Sequence, residues 1–397
     1  MTKKRKSDGP RKPRPDFPLF PHATGRWAKK VRQKLRYFGK VADDPKGEKA
    51  LALWLDQKDD LLAGRTPRKT QGGLIMRDLL NAYLTAKRHR LDSGELSPRS
   101  FGDLYQTCQR LAKQLGLTRL VEDLVADDFQ ELRATMAKAW GPVRLADEIQ
   151  KVRGVFRYAY DANLIDKPVR FGPGFTKPSQ QAMRLNRAKQ GPKMFEAEQI
   201  RALLKASPVQ LKAMILLGVN CGFGNGDLTH LPLSALDLKA GWVTYPRPKT
   251  GIPRRCPLWP ETVAAVAQAI GSRPKPFDKE DAGLAFLTPL GRRWTTAVVT
   301  DTTVWHNDAL TREFRRLLEQ LKLYRPGLGF YALRHTFETV AGDSKDQVAV
   351  NAIMGHAPAV GDMSAVYRER ISDDRLRAVV DHVHGWLWPV AGTKEGK

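Results

Sequence analysis

The sequence predicts a mainly α-helical chain with small β elements, an α+β organisation. Three observations carry this. Apolar residues recur at helical spacing through residues 74–165 and again from Phe195 onward. Aromatic and β-branched residues interleave with cations in two short runs over 25–39. A Lys249-Thr250-Gly251 turn separates two further strand-like runs, Trp242 to Tyr245 and Arg254 to Leu258. These divide the chain into a basic disordered tail (1–16), a small sheet-plus-helix domain (17–64), a helical domain (74–168), a linker (169–192) and a mixed helical domain with a β-hairpin (193–389).

The 67 Lys and Arg against 42 Asp and Glu give a net charge of +25 over 397 residues, with a pI near 10.1. Such a field concentrates polyanions and points to nucleic acid, with an anionic membrane surface as the weaker option. Cys108, Cys221 and Cys256 are far apart with no Cys-x-x-Cys. Neither a disulfide framework nor a zinc site is indicated, and a reducing interior is expected. No apolar run is long enough to span a bilayer, and the basic N-terminus lacks a following apolar segment. The expected location is therefore cytoplasmic, associated with nucleic acid.

The tail carries Lys3, Lys4, Arg5, Lys6, Arg11, Lys12 and Arg14 against Asp8, a composition suited to lying along phosphates. The two runs that follow hold Trp27, Val31, Leu35, Tyr37 and Phe38, and residues 50–62 read as a helix with Leu51, Trp54, Leu55 and Leu61 on one face. Arg26, Lys29, Lys30, Arg32 and Lys34 are expected on the open side of this sheet, where a strand ribbon can enter a major groove. A polar linker at 65–73 comes next. Four apolar faces then mark four helices: Leu79, Leu80, Tyr83 and Leu84; Leu104, Leu111 and Leu115; Phe129, Leu132 and Met136; Ile149, Val152, Val155, Phe156 and Tyr160. Ser97-Pro98 is a helix start. Arg144, Lys151, Arg153 and Arg157 are the candidate phosphate contacts of this bundle, though a solvated charged face explains them equally well. From 166 to 191 the Pro, Gly and basic residues show no burial pattern, as expected of a flexible connector.

In the last domain Glu196-Ala197-Glu198 opens a helix, and 211–219 reads as a buried one, followed by Cys221-Gly222-Phe223-Gly224-Asn225-Gly226-Asp227. Leu333, Phe337 and Val340 place Arg334 and His335 on an amphipathic helix. In the next helix Val348, Ala352 and Ile353 are expected inward, and Gly355 ends it in a left-handed cap that aims His356. Tyr367 lies one loop further on. Leu376, Val379, Val380, Val383, Leu387 and Trp388 then recur at helical spacing. That last stripe suits either the chain's own core or a neighbouring subunit.

An arginine fork fits phosphate oxygens two at a time. Imidazole adds a donor near neutral pH, and a tyrosine oxygen can act as nucleophile. In order, and in the interval from Arg334 to His356, Leu333-Arg334-His335-Thr336-Phe337, Gly355-His356 and Tyr367 resemble the second-arginine box, the Gly-His box and the nucleophile of the tyrosine recombinase (phage integrase) family, with a gap to Tyr367 slightly longer than usual there. Lys249 matches that family's hairpin lysine. Residues 17–64 resemble, weakly, its arm-type DNA-binding domains, and the helical domain resembles its core-binding domain.

The resemblance implies a C-shaped clamp on double-stranded DNA and a site-specific recombinase or integrase working as a homotetramer on paired sites. DNA strands would break and rejoin through a 3′-phosphotyrosine, with no metal and no cofactor. Tyr367 would attack; Arg334 and His356 would hold the non-bridging oxygens; Lys249 would protonate the leaving 5′-oxygen. Two positions depart from the pattern. Gly224 stands where the first-box arginine belongs, which puts cleavage in doubt unless Arg254, Arg255 or Arg247 replaces it. Tyr331 stands where a histidine is usual, and its phenol would donate instead. Two alternatives stay open: a catalytically weak or inactive DNA-binding accessory protein, and a topoisomerase-like phosphotyrosine enzyme.

Overall fold

A computed structural model describes residues 12–62, 73–300, 304–358 and 361–389. The basic tail before Lys12 and most of the polar linker at 65–73 lie outside them. The chain packs into two compact units. One runs up to Tyr83 and adds Gln109–Leu132 and Val152–Phe175; the other holds Leu84–Cys108, Arg133–Lys151 and the chain from Thr176 onward. No helix among the described residues is long and apolar enough to cross a membrane.

The first unit begins with an antiparallel sheet of β1 (Phe20–Pro21), β2 (Arg26–Val31) and β3 (Lys34–Lys40) in that order. Arg32 and Gln33 turn the β2–β3 hairpin with φ of 48° and 64°, the doubly positive turn whose twist suits a two-residue connection. Helix α1 (Glu48–Leu62) covers one face, its start held by the Asp44 carboxylate, which accepts from Glu48 N (3.1 Å) and Ala50 N (2.9 Å). Phe17, Trp27, Phe38, Trp54 and Leu61 form the core between them. Leu35 and Tyr37 lie on the open face.

The helical stretch divides as its periodicity predicts, into α2 (Met76–Asp92), α3 (Pro98–Leu115), α4 (Ala126–Ala139) and α5 (Pro142–Asp161). The connector differs from expectation. Phe171 and Phe175 stack on each other with ring centroids 5.6 Å apart and pack against Phe129, so its first part is anchored. Further on, Ser179 caps helix α6 (Gln180–Gln190), accepting from Ala182 N at 3.1 Å. No α6 residue is buried, and a helix without an apolar stripe leaves no periodicity to read.

In the second unit α7 (Ala197–Ala206) leads into α8 (Val209–Asn220), which is buried almost throughout and forms the axis of the core. Short α9 (Asn225–Thr229) follows, then the antiparallel sheet β4 (Leu236–Asp237), β5 (Trp242–Thr244) and β6 (Arg255–Pro257), and helix α10 (Pro260–Gly271). A second hairpin, β7 (Thr295–Val299) with β8 (Val304–Asp308), was not visible in the sequence pattern. Helices α11 (Ala309–Gln320), α12 (Ala332–Gly342), α13 (Gln347–Met354), α14 (Met363–Tyr367) and α15 (Asp373–Leu387) complete the chain. The buried face of α13 is Ala349, Val350, Ile353 and Met354, shifted from the expected Val348 and Ala352, which are only partly covered. Helix α15 buries its apolar stripe in this chain's own core, and Trp259 Nε1 donates to Val380 O at 3.0 Å.

Candidate active site

Three joints in the second unit bring distant residues together. Helices α8 and α12 approach closely because Gly218 has no side chain: a β-carbon there would lie 3.0 Å from Leu333 Cδ1. Thr336 accepts from Phe195 N (2.9 Å) and donates to Ala332 O (3.0 Å), fixing α12 against the segment that leads into α7. Asn220, fully buried at the end of α8, donates to Pro257 O (3.0 Å) and accepts from Trp259 N (3.0 Å), which sets the return strand of the hairpin beside Gly222.

At the centre stands Arg334, only 2% exposed. Its Nη1 donates to Gly222 O (2.6 Å) and its Nη2 to Met354 O (2.8 Å). Both acceptors are freed by left-handed backbone next to or at a helix end: Gly222 itself has φ 63°, and Gly355, after Met354, caps α13 with φ 61° and ψ 42°. Burial lowers the Arg334 pKa from its ordinary value, and nearby Arg247 adds to the effect. The guanidinium still keeps donors beyond the pair used on carbonyls.

Just past the Gly355 cap, His356 Nδ1 lies 3.3 Å from Asn351 Oδ1 and 3.8 Å from Glu338 Oε2. Partial burial, and then Arg334, lower its pKa below 6.5, so in the free protein the ring is neutral at about pH 7. The hairpin tip leans on the same cap. Arg247 Nη1 and Thr250 Oγ1 both reach Gly355 O, at 3.3 and 3.4 Å. Lys249, between them in the turn, is exposed.

The first-box position is open in a specific way. Gly224 N donates to Asp227 Oδ2 (2.8 Å), and the other oxygen of that carboxylate accepts from Arg254 Nη2 (2.9 Å). Arg254 is 3% exposed; its Nε donates to Tyr245 O (3.0 Å) and its guanidinium lies 4.4 Å from the centre of the Phe223 ring. Burial lowers its pKa from the ordinary value against the opposing pull of Asp227. Tyr331, half exposed, stands over Gly224, and its ring packs edge-on to His335.

The remaining sequence candidates fall elsewhere. Arg255, next to Arg254 in the chain, pairs with Asp373 and lies 3.8 Å from the Trp242 ring centre, because successive strand residues point to opposite faces. Tyr367 sits on α14, 76% exposed, and its hydroxyl makes no hydrogen bond to any described residue. Among the expected DNA contacts, Lys29 donates to Pro18 O (3.0 Å) and covers the Trp54 ring. Arg153 donates to Phe175 O (2.6 Å), Lys151 pairs with Asp147 (2.8 Å), Arg157 with Asp161 (3.2 Å), and Arg144 covers the Trp140 ring. Lys29 and Arg153 thus serve packing. Arg26 stacks on Tyr37, and Lys30, Arg32 and Lys34 are exposed around the β2–β3 turn. Sequence reasoning missed Glu338 and Asn351, the groups nearest the His356 ring. Glu338 lies one helical turn beyond Arg334, the spacing that puts two side chains on one face.

No family model matches the sequence, and no curated protein does. The fold, in contrast, is similar to solved structures. One is the Tn1549 transposon integrase in complex with transposon right end DNA, with TM-score 0.54 and 18% identity, covering 78% of this chain and 100% of that one. Another is a lambda integrase dimer bound to a COC' core site, with TM-score 0.53 and 15% identity, covering 91% of this chain and 98% of that one. A lambda integrase tetramer bound to a Holliday junction gives TM-score 0.52 and 13% identity over 90% of this chain. The chain has the tyrosine recombinase fold. Within that recombinase fold, Arg334, His356, the Lys249 hairpin and the Gly224–Asp227 turn meet around one small region of the second unit, although they are far apart in sequence.

Proposed function

We propose that this chain is a site-specific DNA recombinase that cuts and rejoins strands through a 3′-phosphotyrosine. The observation that carries the reading is the seating of Arg334. A cation held by backbone carbonyls at the caps of two separate chain segments is set in one orientation, with donors to spare, beside the His356 loop and the hairpin that bears Lys249. Such preorganisation serves an anion that arrives later. The similar integrase structures hold DNA, and this chain's excess of cations suits the same partner.

In this mechanism the Tyr367 phenol gives up its proton to solvent and its oxygen attacks the phosphorus of a backbone phosphodiester. Its bond to phosphorus forms as the bond to the 5′-oxygen breaks. Lys249, on its exposed turn, protonates that leaving oxygen. Arg334 and neutral His356 donate to the non-bridging oxygens as charge builds there, and Tyr331 adds its phenol. Attack of a 5′-hydroxyl on the phosphotyrosine reverses the sequence and joins the strand to its new partner. One phosphoester is exchanged for another, so no nucleotide need be hydrolysed. Exchange between two duplexes requires several copies, and the lambda tetramer on a Holliday junction supports a homotetramer as the working assembly. The cationic β2–β3 turn then serves as an arm contact, and the exposed charges of the helical domain as backbone contacts.

The test is a nicked duplex carrying sequence from beside the coding region, followed by denaturing electrophoresis. A denaturant-stable protein–DNA adduct is expected from the wild type and not from Tyr367→Phe. Salt-sensitive binding without adduct would point to an accessory DNA-binding protein. Relaxation of one plasmid without exchange between two would point to a topoisomerase-like enzyme.

A further inference from the structure

We propose that Arg254, from the return strand of the β5–β6 hairpin, supplies the second guanidinium to the scissile phosphate in place of the side chain that Gly224 lacks. The proposal rests on the strand-exchange reading above and names the residue that completes that site.

The need comes from charge. A phosphodiester carries one negative charge, and attack by a phenolate adds another that spreads over the non-bridging oxygens. Arg334 has already committed a donor from each terminal nitrogen to a carbonyl. A second fork beside it would take up the added charge.

The placement comes from two contacts and one unpaired donor. First, the Asp227 carboxylate spans Gly224 N and Arg254 Nη2, so the Arg254 head lies one carboxylate away from the vacant first-box position. Second, the Arg254 stem runs through the space that a side chain at residue 355 would fill. A β-carbon on Gly355 would lie 2.6 Å from Arg254 Cδ and 2.9 Å from its Cγ. The head thus lies between the Gly224 turn and the His356 loop. Third, Arg254 Nη1 is buried with no acceptor, the only guanidinium nitrogen so stranded among the described residues. A purely structural arginine would not leave a charged donor unpaired, since that costs about 1–3 kcal/mol or more. A phosphate oxygen is the acceptor it lacks. Arg255 is tied to Asp373 on the other face of the strand, and Arg247 is hydrogen-bonded to the Gly355 cap and not to the Asp227 carboxylate at the Gly224 turn. The Tyr331 ring flanks the Gly224 turn, and Arg247 Cβ flanks Gly355 beside the Arg254 stem.

Removing Arg254 outright would strand Asp227, so the test uses Arg254→Lys. It keeps a cation for Asp227 but gives up the fork. The full chain is assayed with a pool of nicked duplexes tiled across the DNA beside its coding region, and separately for thermal stabilisation by inorganic phosphate. Arg254→Lys should melt cooperatively near the wild-type temperature, bind duplex, and form adduct about 10²–10³-fold more slowly. Arg255→Lys should match the wild type. Adding Gly224→Arg with Tyr331→Ala to Arg254→Lys should restore much of the rate. A folded Arg254→Lys protein that forms adduct at the wild-type rate overturns the proposal. Inorganic phosphate should stabilise the wild type and stabilise Arg254→Lys much less; equal stabilisation also overturns it. If no duplex yields an adduct but the phosphate difference holds, the strand-exchange reading falls and the Arg254 phosphate site stands.

Discussion

The ring of Tyr331 lies where a side chain at residue 224 would begin: a β-carbon on Gly224 would stand 3.1 Å from Tyr331 Cε2 and 3.2 Å from Cδ2. The two departures from the recombinase pattern are therefore one steric unit. A side chain at 224 requires the Tyr331 ring to shift, whereas Arg254 already reaches the Asp227 carboxylate beside that position from the hairpin.

That contact predicts non-additive stability. Gly224→Ala forces the Tyr331 ring to give by a few tenths of an ångström, whereas in a Tyr331→Ala background the nearest remaining atom is Asp227 Oδ2 at 3.5 Å, an ordinary contact. Urea unfolding of the two single variants and the double should show coupling of about 0.5 kcal/mol or more, within the range for residues in contact. Strict additivity would mean that the ring moves aside freely.

Gly355 predicts a larger effect. A non-glycine residue in its left-handed conformation costs about 1–2 kcal/mol, and any β-carbon there also meets the Arg254 stem and lies 3.0 Å from Arg247 Cβ. Asparagine tolerates that backbone better than alanine does. Gly355→Asn should recover part of the stability lost in Gly355→Ala, while both slow adduct formation by displacing Arg254. Normal cleavage by a destabilised Gly355→Asn protein would separate the cap from the Arg254 site.

These residues also mark how far the sequence could be read. The Arg334, His356 and Lys249 positions were legible because each sits at a signature of local structure: an amphipathic stripe, a glycine cap, a turn between strands. The helices from 74 to 165 were legible by the same periodicity. The placement of Arg254 against Arg255 was not, because choosing between adjacent strand residues requires knowing which face of the hairpin meets Asp227, and Asn220 helps to set that by holding the return strand. The anchoring of Phe171 and Phe175, and helix α6 with no buried face, were hidden in a Gly-, Pro- and cation-rich stretch that read as connector. Tyr331 over Gly224 is a contact between residues more than a hundred positions apart, and each looked like a separate loss.

Asp346 joins two elements that hold the His356 loop. It caps α13, accepting from Ala349 N at 3.1 Å, and accepts from Arg375 Nε and Nη2 on α15, each at 2.7 Å. The Arg375 hydrogen bonds hold its carboxyl below the usual carboxylate range. Asp346→Ala should cost about 0.5–2 kcal/mol for the cap. Asp346→Asn, which can still cap, should lose less, since a half-exposed ion pair contributes only about 0.2–1 kcal/mol. The sign for acid follows from the depressed folded pKa: the contribution is present above 3.8 and disappears as pH falls through the folded value. An equal loss in both variants would show that the pair, and not the cap, dominates.

His356 gives a pH dependence with two opposite signs. In the free protein its pKa is lowered from 6.5, by burial first and then by Arg334 and Arg247, against the pull of Glu338. The unfolded chain therefore binds the proton first as pH falls, and stability drops from about pH 6.5 downward; His335, lowered by burial, Lys193 and Arg187, acts in the same direction. A phosphate bound beside His356 would oppose the lowering by Arg334 and Arg247 and so raise its pKa on binding. At pH values between the free and bound pKa, binding should take up a proton, and affinity for duplex should rise as pH falls through that interval. Calorimetry in two buffers of different ionisation enthalpy measures that uptake directly. It should vanish in His356→Gln and persist in His335→Gln. Uptake that survives in His356→Gln would place the titrating group elsewhere and remove His356 from the phosphate site.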